Sequence, residues 1–186
     1  MSHQSSERPV VEQESKGTPK RERRFLLNAF PPGLERNSPH LQLTDNYITN
    51  TRLRLRKIRV PETKERRWVL TQVIHPMPAD LSQTIKVNTW LSAQEYEVLS
   101  IFEGNETRKN RFAYQHEGRE YIVDLYLGLL WGLLIAKTTI ESDLKWDQAL
   151  MPEFATADIT NDPLFNGPRL PDLTIQEIRS RQPQQS

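Results

Sequence analysis

The sequence predicts an α+β domain that is mostly β: an antiparallel barrel or closed sheet of about eight strands, with two or three short helices packed outside. Three observations predict it. Strand signals follow one another in hairpin-like succession along most of the chain. Helix signals are few, the clearest being the capping boxes Ser92-Ala93-Gln94-Glu95 and Thr174-Ile175-Gln176-Glu177. Several strands alternate charged and apolar residues, most cleanly Arg52-Leu53-Arg54-Leu55-Arg56, so one of their two faces is charged. On a single strand such a face is ordinarily solvated. In a barrel whose outside is partly covered by helices it can be the inside.

Residues 1–19 are rich in Ser, Gln, Glu and Pro with almost nothing to bury, which predicts a disordered leader. Lys20 to Leu27 opens the structured part as an extended segment with Lys20, Glu22 and Arg24 on one side and Arg21, Arg23 and Phe25 on the other. Pro31, Pro32, Gly33 and Pro39 make 28–40 a loop. Strand signals return at Leu41 to Tyr47, Ile48 to Val60, Arg67 to His75 and Leu81 to Thr89, the last with Thr84, Lys86 and Asn88 on one face. A helix follows Ser92, with Tyr96, Leu99 and Ile101 or Phe102 at helical spacing until Gly104. Arg108 to Gln115 and Arg119 to Leu127 read as a hairpin about His116-Glu117-Gly118, and Leu133 to Glu141 as another strand. A short helix is expected at Ser142 to Met151 and a terminal one after Thr174, before a polar tail at Gln182 to Ser186. The domain proper therefore spans 20–170, followed by a helix and tail over 171–186. Trp90, Trp131 and Trp146 read as core or helix-docking anchors, and Arg21, Arg23 and Arg52 as solvated outer charges.

Composition narrows the chemistry. Lys+Arg 25 against Asp+Glu 24 leaves no basic excess to favour nucleic acid, so affinity for an anion must come from how charges are arranged. With Cys 0, disulfides, zinc-thiolate centres and cysteine nucleophiles are excluded. The longest apolar run, Leu127 to Ala136, is broken by two glycines and falls far short of the roughly 20 residues that span a bilayer. No P-loop, Ser-His-Asp order or metal-histidine spacing is present. A soluble, cytoplasmic protein is expected.

Six fragments occur in the order of one known family. Glu22-Arg23-Arg24-Phe25-Leu26, Thr51 to Arg56, Trp68 to Gln72, Tyr121 to Leu125, Leu134-Ile135-Ala136 and Asp158-Ile159-Thr160 resemble the CYTH family, the triphosphate tunnel metalloenzymes, from about Lys20 to Leu170. The resemblance implies an eight-stranded antiparallel tunnel in which basic wall residues grip a triphosphate while glutamates hold one or two divalent metals.

Carried over residue by residue, the family pattern is kept unevenly. The opening pair of glutamates and a lysine reads Lys20, Glu22 and Arg24. Arg54, Arg56, Lys109 and Arg111 keep phosphate-gripping cations, while Val73 replaces a wall lysine. Thr84 and Lys86 stand where two glutamates are expected, Ile122 replaces an acid beside Asp124, and Lys137-Thr138-Thr139 replaces the Glu-Val-Glu of central metal ligands. Residual metal candidates are Glu22, Asp124 and Asp158. The resemblance therefore implies a binder of triphosphate, polyphosphate or a nucleotide without efficient catalysis and without a required cofactor. Arg54, Arg56, Lys109 and Arg111 are its expected ligand contacts, with Arg24, Lys86 and Lys137 behind them. If Lys86 and Lys137 face the tunnel, their ammonium groups stand in for metal charge. The alternatives are a triphosphatase dependent on Mg²⁺ or Mn²⁺, and an interaction scaffold whose tunnel has collapsed into internal salt bridges.

Overall fold

The computed structural model describes residues 17, 19–140, 146 and 150–179. The expected leader, most of the Ser142 to Met151 helix and the tail at Gln182 to Ser186 lie outside the described residues.

Eight strands form one closed antiparallel barrel. They are β1 (Lys20–Leu27), β2 (Leu41–Ile48), β3 (Leu53–Arg59), β4 (Arg66–Ile74), β5 (Gln83–Leu91), β6 (Gly104–His116), β7 (Arg119–Tyr126) and β8 (Leu134–Ile140). Hydrogen bonding runs β5-β4-β3-β2-β6-β7-β8-β1, and β1 returns to β5 through Lys20 opposite Thr84 and Arg21 opposite Gln83. Closure leaves the sheet without a long free edge. A two-residue strand, β9 (Ala157–Asp158), continues along β1 opposite Leu26 and Phe25 where β5 has ended. Among the described residues no helix is long and apolar enough to cross a membrane.

Local chemistry explains the corners. His116 and Arg119 pair directly, and the two residues between them, Glu117 (φ 49) and Gly118 (φ 72), both have positive φ. That is the left-handed two-residue turn whose twist matches an antiparallel hairpin. Helix α1 (Ala93–Leu99) begins with a complete capping box between Ser92 and Glu95, as expected. It ends earlier than its apolar spacing suggests, because β6 must start at Gly104 opposite Ile48. Ile101 and Phe102 are left exposed in the connection.

Period-2 alternation sorts the side chains into an inner and an outer set. Outward, Phe25, Phe112, Val123, Leu125 and Ala136 form a core layer covered by Phe30 and Leu34 from the 28–40 loop and by Phe154 and Ala155. Inward on β2 to β5, Leu41, Leu43, Ile58 and Val69 make an apolar wall beside half-buried Trp90. At one end of the barrel, Leu26, Tyr126 and Ile135 pack with Leu130 and Leu133 against Ile159, Phe165, Leu170 and Ile178. Ile178 belongs to α2 (Ile175–Arg179), so α2 and the turns before it cover an end of the barrel rather than its flank. Trp131 corrects the expectation of a core anchor: it is 56% exposed with the Arg36 guanidinium 5.2 Å from its ring centre, because Leu130 takes the buried position of that turn. Trp146 lies against β1. Arg21 and Arg23 lie 4.0 and 4.5 Å from its ring centre, so these two arginines are stacked and not simply solvated.

Gly104 lies against the β2 backbone with no room for a side chain. A Cβ there would fall 2.3 Å from the Tyr47 carbonyl oxygen. Gly104→Ala is expected to push β2 and β6 apart and cost roughly 1–3 kcal/mol, the range for overpacked sites, read as a lower urea midpoint.

Candidate functional site

Between the apolar wall and the covered end, the barrel interior is charged. Register decides which residues meet there. On β3, Arg54 opposes Tyr47 and Arg56 opposes Asp45, while on β6, Lys109 opposes Leu43 and Arg111 opposes Leu41. All of these share the inner face. β7 brings in Asp124 opposite Arg111, β8 brings Lys137 opposite Arg24, and β5 brings Lys86 opposite Val73. Lys86 thus stands directly across from the position where Val73 replaces the expected wall lysine.

Three carboxylates organise seven cations. Fully buried Asp45 accepts from Arg56 Nε and, at 2.7 Å, from Arg56 Nη2, with Lys109 Nζ at 3.5 Å and Arg54 Nε at 3.9 Å. Fully buried Asp124 accepts from Arg111 Nε at 2.7 Å and Nη2 at 2.9 Å, with Lys109 Nζ at 3.1 Å and Lys137 Nζ at 3.3 Å. Glu22 faces Arg24 Nε at 3.3 Å and Lys86 Nζ at 3.8 Å. Arg54 Nη2 also donates to the Thr71 hydroxyl, which donates to Asn88 Oδ1 and carries the network across β4 to β5. Arg24, Arg54, Arg56, Lys86, Lys109, Arg111 and Lys137 against Glu22, Asp45 and Asp124 leave an excess of four positive charges among the described residues.

Burial and charge oppose each other throughout this cluster. Burial alone would raise the Glu22 carboxyl; Lys86, Lys137, Arg24 and Arg111 overcome it and lower the group to about 2. Asp45 and Asp124 are likewise held well below the ordinary carboxylate range, with Arg56 and Arg111 the leading cations. For Lys109 burial wins: despite Asp124 and Asp45, desolvation with Lys137 and Arg111 nearby brings its ammonium down to about 7. Tyr47 is pushed up to about 12, chiefly by burial.

Side-chain exposure grades the site. Lys86 is 35% exposed and Lys137 and Glu22 18% each, whereas Lys109 is 3% and Arg56 1% exposed. Lys86 and Lys137 therefore point into the barrel and also reach solvent. The residues expected to lie behind the ligand contacts are the accessible ones, and Arg56 and Lys109 are the enclosed ones. Asp158 is not part of the group. β9 sets it opposite Phe25, an outward position, where it takes Arg23 Nη1 at 3.1 Å and the Thr160 hydroxyl on the outer surface.

Asp45 escaped the sequence reading although it anchors the cluster. Its signal was present: in Leu41-Gln42-Leu43-Thr44-Asp45-Asn46-Tyr47 it occupies the apolar side of the alternation, where a lone acid implies a buried partner.

The inner carboxylates among the described residues are already taken up by cations. Among the described residues no three carboxylate or histidine groups converge, and each inner carboxylate already faces at least two cations. A hard cation placed there would compete with fixed guanidinium and ammonium groups for the same oxygens.

No family model matches the chain, and none of the curated proteins does. Solved structures do. The crystal structure of the hypothetical protein NE1496 aligns with a TM-score of 0.57 at 18% identity, covering 83% of this chain and 99% of that one. The crystal structure of the inorganic triphosphatase NE1496 aligns with a TM-score of 0.56 at 18% identity, covering 81% and 93%.

Two outcomes follow from the network. Asp45→Ala leaves Arg56 buried without its carboxylate, and a loss of about 3–5 kcal/mol is expected on chemical denaturation, as for other broken buried pairs. Stability should also depend on pH. Lys109 titrates near 7 when folded and near the ordinary 10.5 when unfolded, so between these values the unfolded chain holds more protons and stability rises with pH. Glu22 acts in the acid range: its contribution is complete above 4.5 and is lost as pH falls towards 2. A midpoint that climbs from pH 7 to 9, and flattens in Lys109→Met, is the expected result.

Proposed function

We propose that this chain, which has the CYTH-like triphosphate-tunnel fold, binds a polyanion such as triphosphate, polyphosphate or a nucleotide on fixed cations, without efficient turnover. The observation that carries the reading is the convergence, among the described residues, of seven cations on three inner carboxylates in an interior whose two lysines reach solvent. Like charges gathered this closely repel one another, and an anion that enters relieves the repulsion. Arg24 and Lys137, directly opposed on adjacent strands, are a like-charged pair that phosphate oxygens would relieve. The fold's occurrence in an inorganic triphosphatase supports a phosphate chain as the ligand class.

Roles follow from accessibility. Lys86 and Lys137 reach the ligand first, and the enclosed Arg24, Arg54, Arg56, Lys109 and Arg111 form the positive floor beneath it, oriented by Glu22, Asp45 and Asp124. Lysine supplies permanent charge where a metal would supply it in catalytic relatives. It cannot lower the pKa of a bound water as a metal does, so binding without hydrolysis is the consequence. The partner in this reading is a small anion met in the cytoplasm, with neither membrane nor nucleic acid involved.

A second reading is favoured by the structural neighbour named an inorganic triphosphatase: hydrolysis supported by Mg²⁺ or Mn²⁺ on Glu22 and Asp124. Calorimetry with triphosphate in excess chelator separates the two. Saturable binding is expected, weakened roughly 10–100-fold in Lys137→Met for the loss of one charge-assisted contact. Phosphate release that requires Mg²⁺ or Mn²⁺ and vanishes in Glu22→Ala would establish the second reading. Absence of any binding would leave the inner ion pairs a purely structural network and the chain an interaction scaffold.

A further inference from the structure

We infer that the N-terminal segment of this chain docks on its own barrel: residues 10–16 run along the outer face of β5, and Val10-Val11 fill the apolar groove between Leu91 and α1. This docking is independent of what the barrel interior binds.

The outer side of β5 is a continuous strip. Period-2 alternation puts Ile85, Val87, Thr89 and Leu91 on that side and Lys86 on the other. Val87 is 41% exposed, and α1, which lies against the far end of the strip, contributes no buried residue. Where strip and helix meet, Leu91, Gln94, Glu95, Val98 and Leu99 line a groove of about 360 Å³. Val98 is 66% exposed there, and Ile101 and Phe102 extend the apolar surface beyond the helix. Adjoining apolar groups left this open mark a surface that something covers.

The chain itself leads to this strip. β1 and β5 are antiparallel and share two residue pairs, Lys20 with Thr84 and Arg21 with Gln83, and the ladder between the described strands stops there. Gly17, three residues before Lys20, lies beside Val87, three residues after Thr84. A Cβ built on Gly17 would stand 3.8 Å from Val87 Cγ2 and 4.0 Å from Ile85 Cγ2. The backbone upstream of β1 therefore keeps the antiparallel direction along β5 and arrives on its outer face. At Gly17 φ is +71°, the left-handed region open to glycine, which turns the chain from the edge of β5 onto that face.

Length and composition select what enters the groove. Val10-Val11 is the only pair of adjacent aliphatic residues in 1–16. Val11 stands six residues before Gly17, a span of up to about 20 Å when extended, and Val87 to Leu91 covers about 13 Å along the strand. The pair thus reaches the groove with slack to enter it, while polar Glu12 to Lys16 cross the strip between. A segment tethered this close meets the groove at an effective concentration on the order of millimolar, well above that of a second copy in dilute solution.

The test is trypsin cleavage of the whole chain after Lys16, with the rate set against the same bond in a free peptide, together with amide exchange over 10–16. Docking is expected to slow cleavage about tenfold, because the protease acts on the undocked fraction. Val10→Asp combined with Val11→Asp should abolish the protection, and so should Val98→Asp, which alters the groove alone; unchanged urea midpoints would show that the barrel of each variant is intact. Cleavage as fast as in the free peptide, with 10–16 exchanging at the rate of an unstructured chain, would overturn the docking. Protection that disappears on dilution, with a dimer in sedimentation, would assign the groove to a second copy and overturn it as well.

Discussion

Asp45, buried completely between two guanidinium groups and an ammonium, is the interaction on which the barrel interior depends. A carboxylate on β2 ties β3 on one side to β6 on the other. Asp124 on β7 repeats the arrangement, tying β6 to β8 through Lys109, Arg111 and Lys137. Glu22 joins β1 to β5 through Lys86, and the path from Arg54 through Thr71 to Asn88 joins β3 to β5 across β4. Polar contacts therefore link every strand of the ring. A buried charge without a partner costs several kcal/mol, so each of these contacts also constrains strand register. A slip by one residue on any strand would turn its charge outward and strand its partner inside.

Among the described residues the same network gathers seven cations on three carboxylates, and burial is what brings the Lys109 ammonium down. Here the residues closest to solvent, Lys86 and Lys137, are those that stand where the family resemblance leads one to expect carboxylates. Replacing an acid by a lysine changes the site's dependence on solution conditions: a metal's charge varies with metal supply, whereas a lysine's is present whenever the group is protonated.

The ends of the barrel are chemically unlike. One is closed by apolar residues from the C-terminal part of the chain; at the other, β1, β7 and β8 finish in exposed polar positions while β2, β3 and β4 present the buried Leu41, Ile58 and Val69. The outer layer is divided in a similar way, with a packed core over β1, β6, β7 and β8 but little over β4 and β5, where α1 contributes no buried residue and Val87 is 41% exposed. This unequal cover follows from the connections. The long segments at 28–40 and after β8 supply the apolar groups, and the short turns between β3 and β5 have none to give.

Much of this architecture was legible in local sequence. Alternation on β1, β3 and β5, the left-handed turn at Glu117-Gly118 and the capping boxes at Ser92 and Thr174 determined which segments are strands or helices and which side chains share a face, because these are properties of neighbours in the chain. Which cations share a face was legible for the same reason, but that this face is the inner one was implied only by the family resemblance. Asp45 as their anchor, Asp158 outside the barrel against Arg23, the exposed Trp131, and the reversed depths of Lys86 and Arg56 were decided only when the sheet closed. Closure sets which strands meet and how far each residue lies from solvent. Those are long-range relations, and the alternation that assigns a side chain to a face carries no information about its distance from water along the axis.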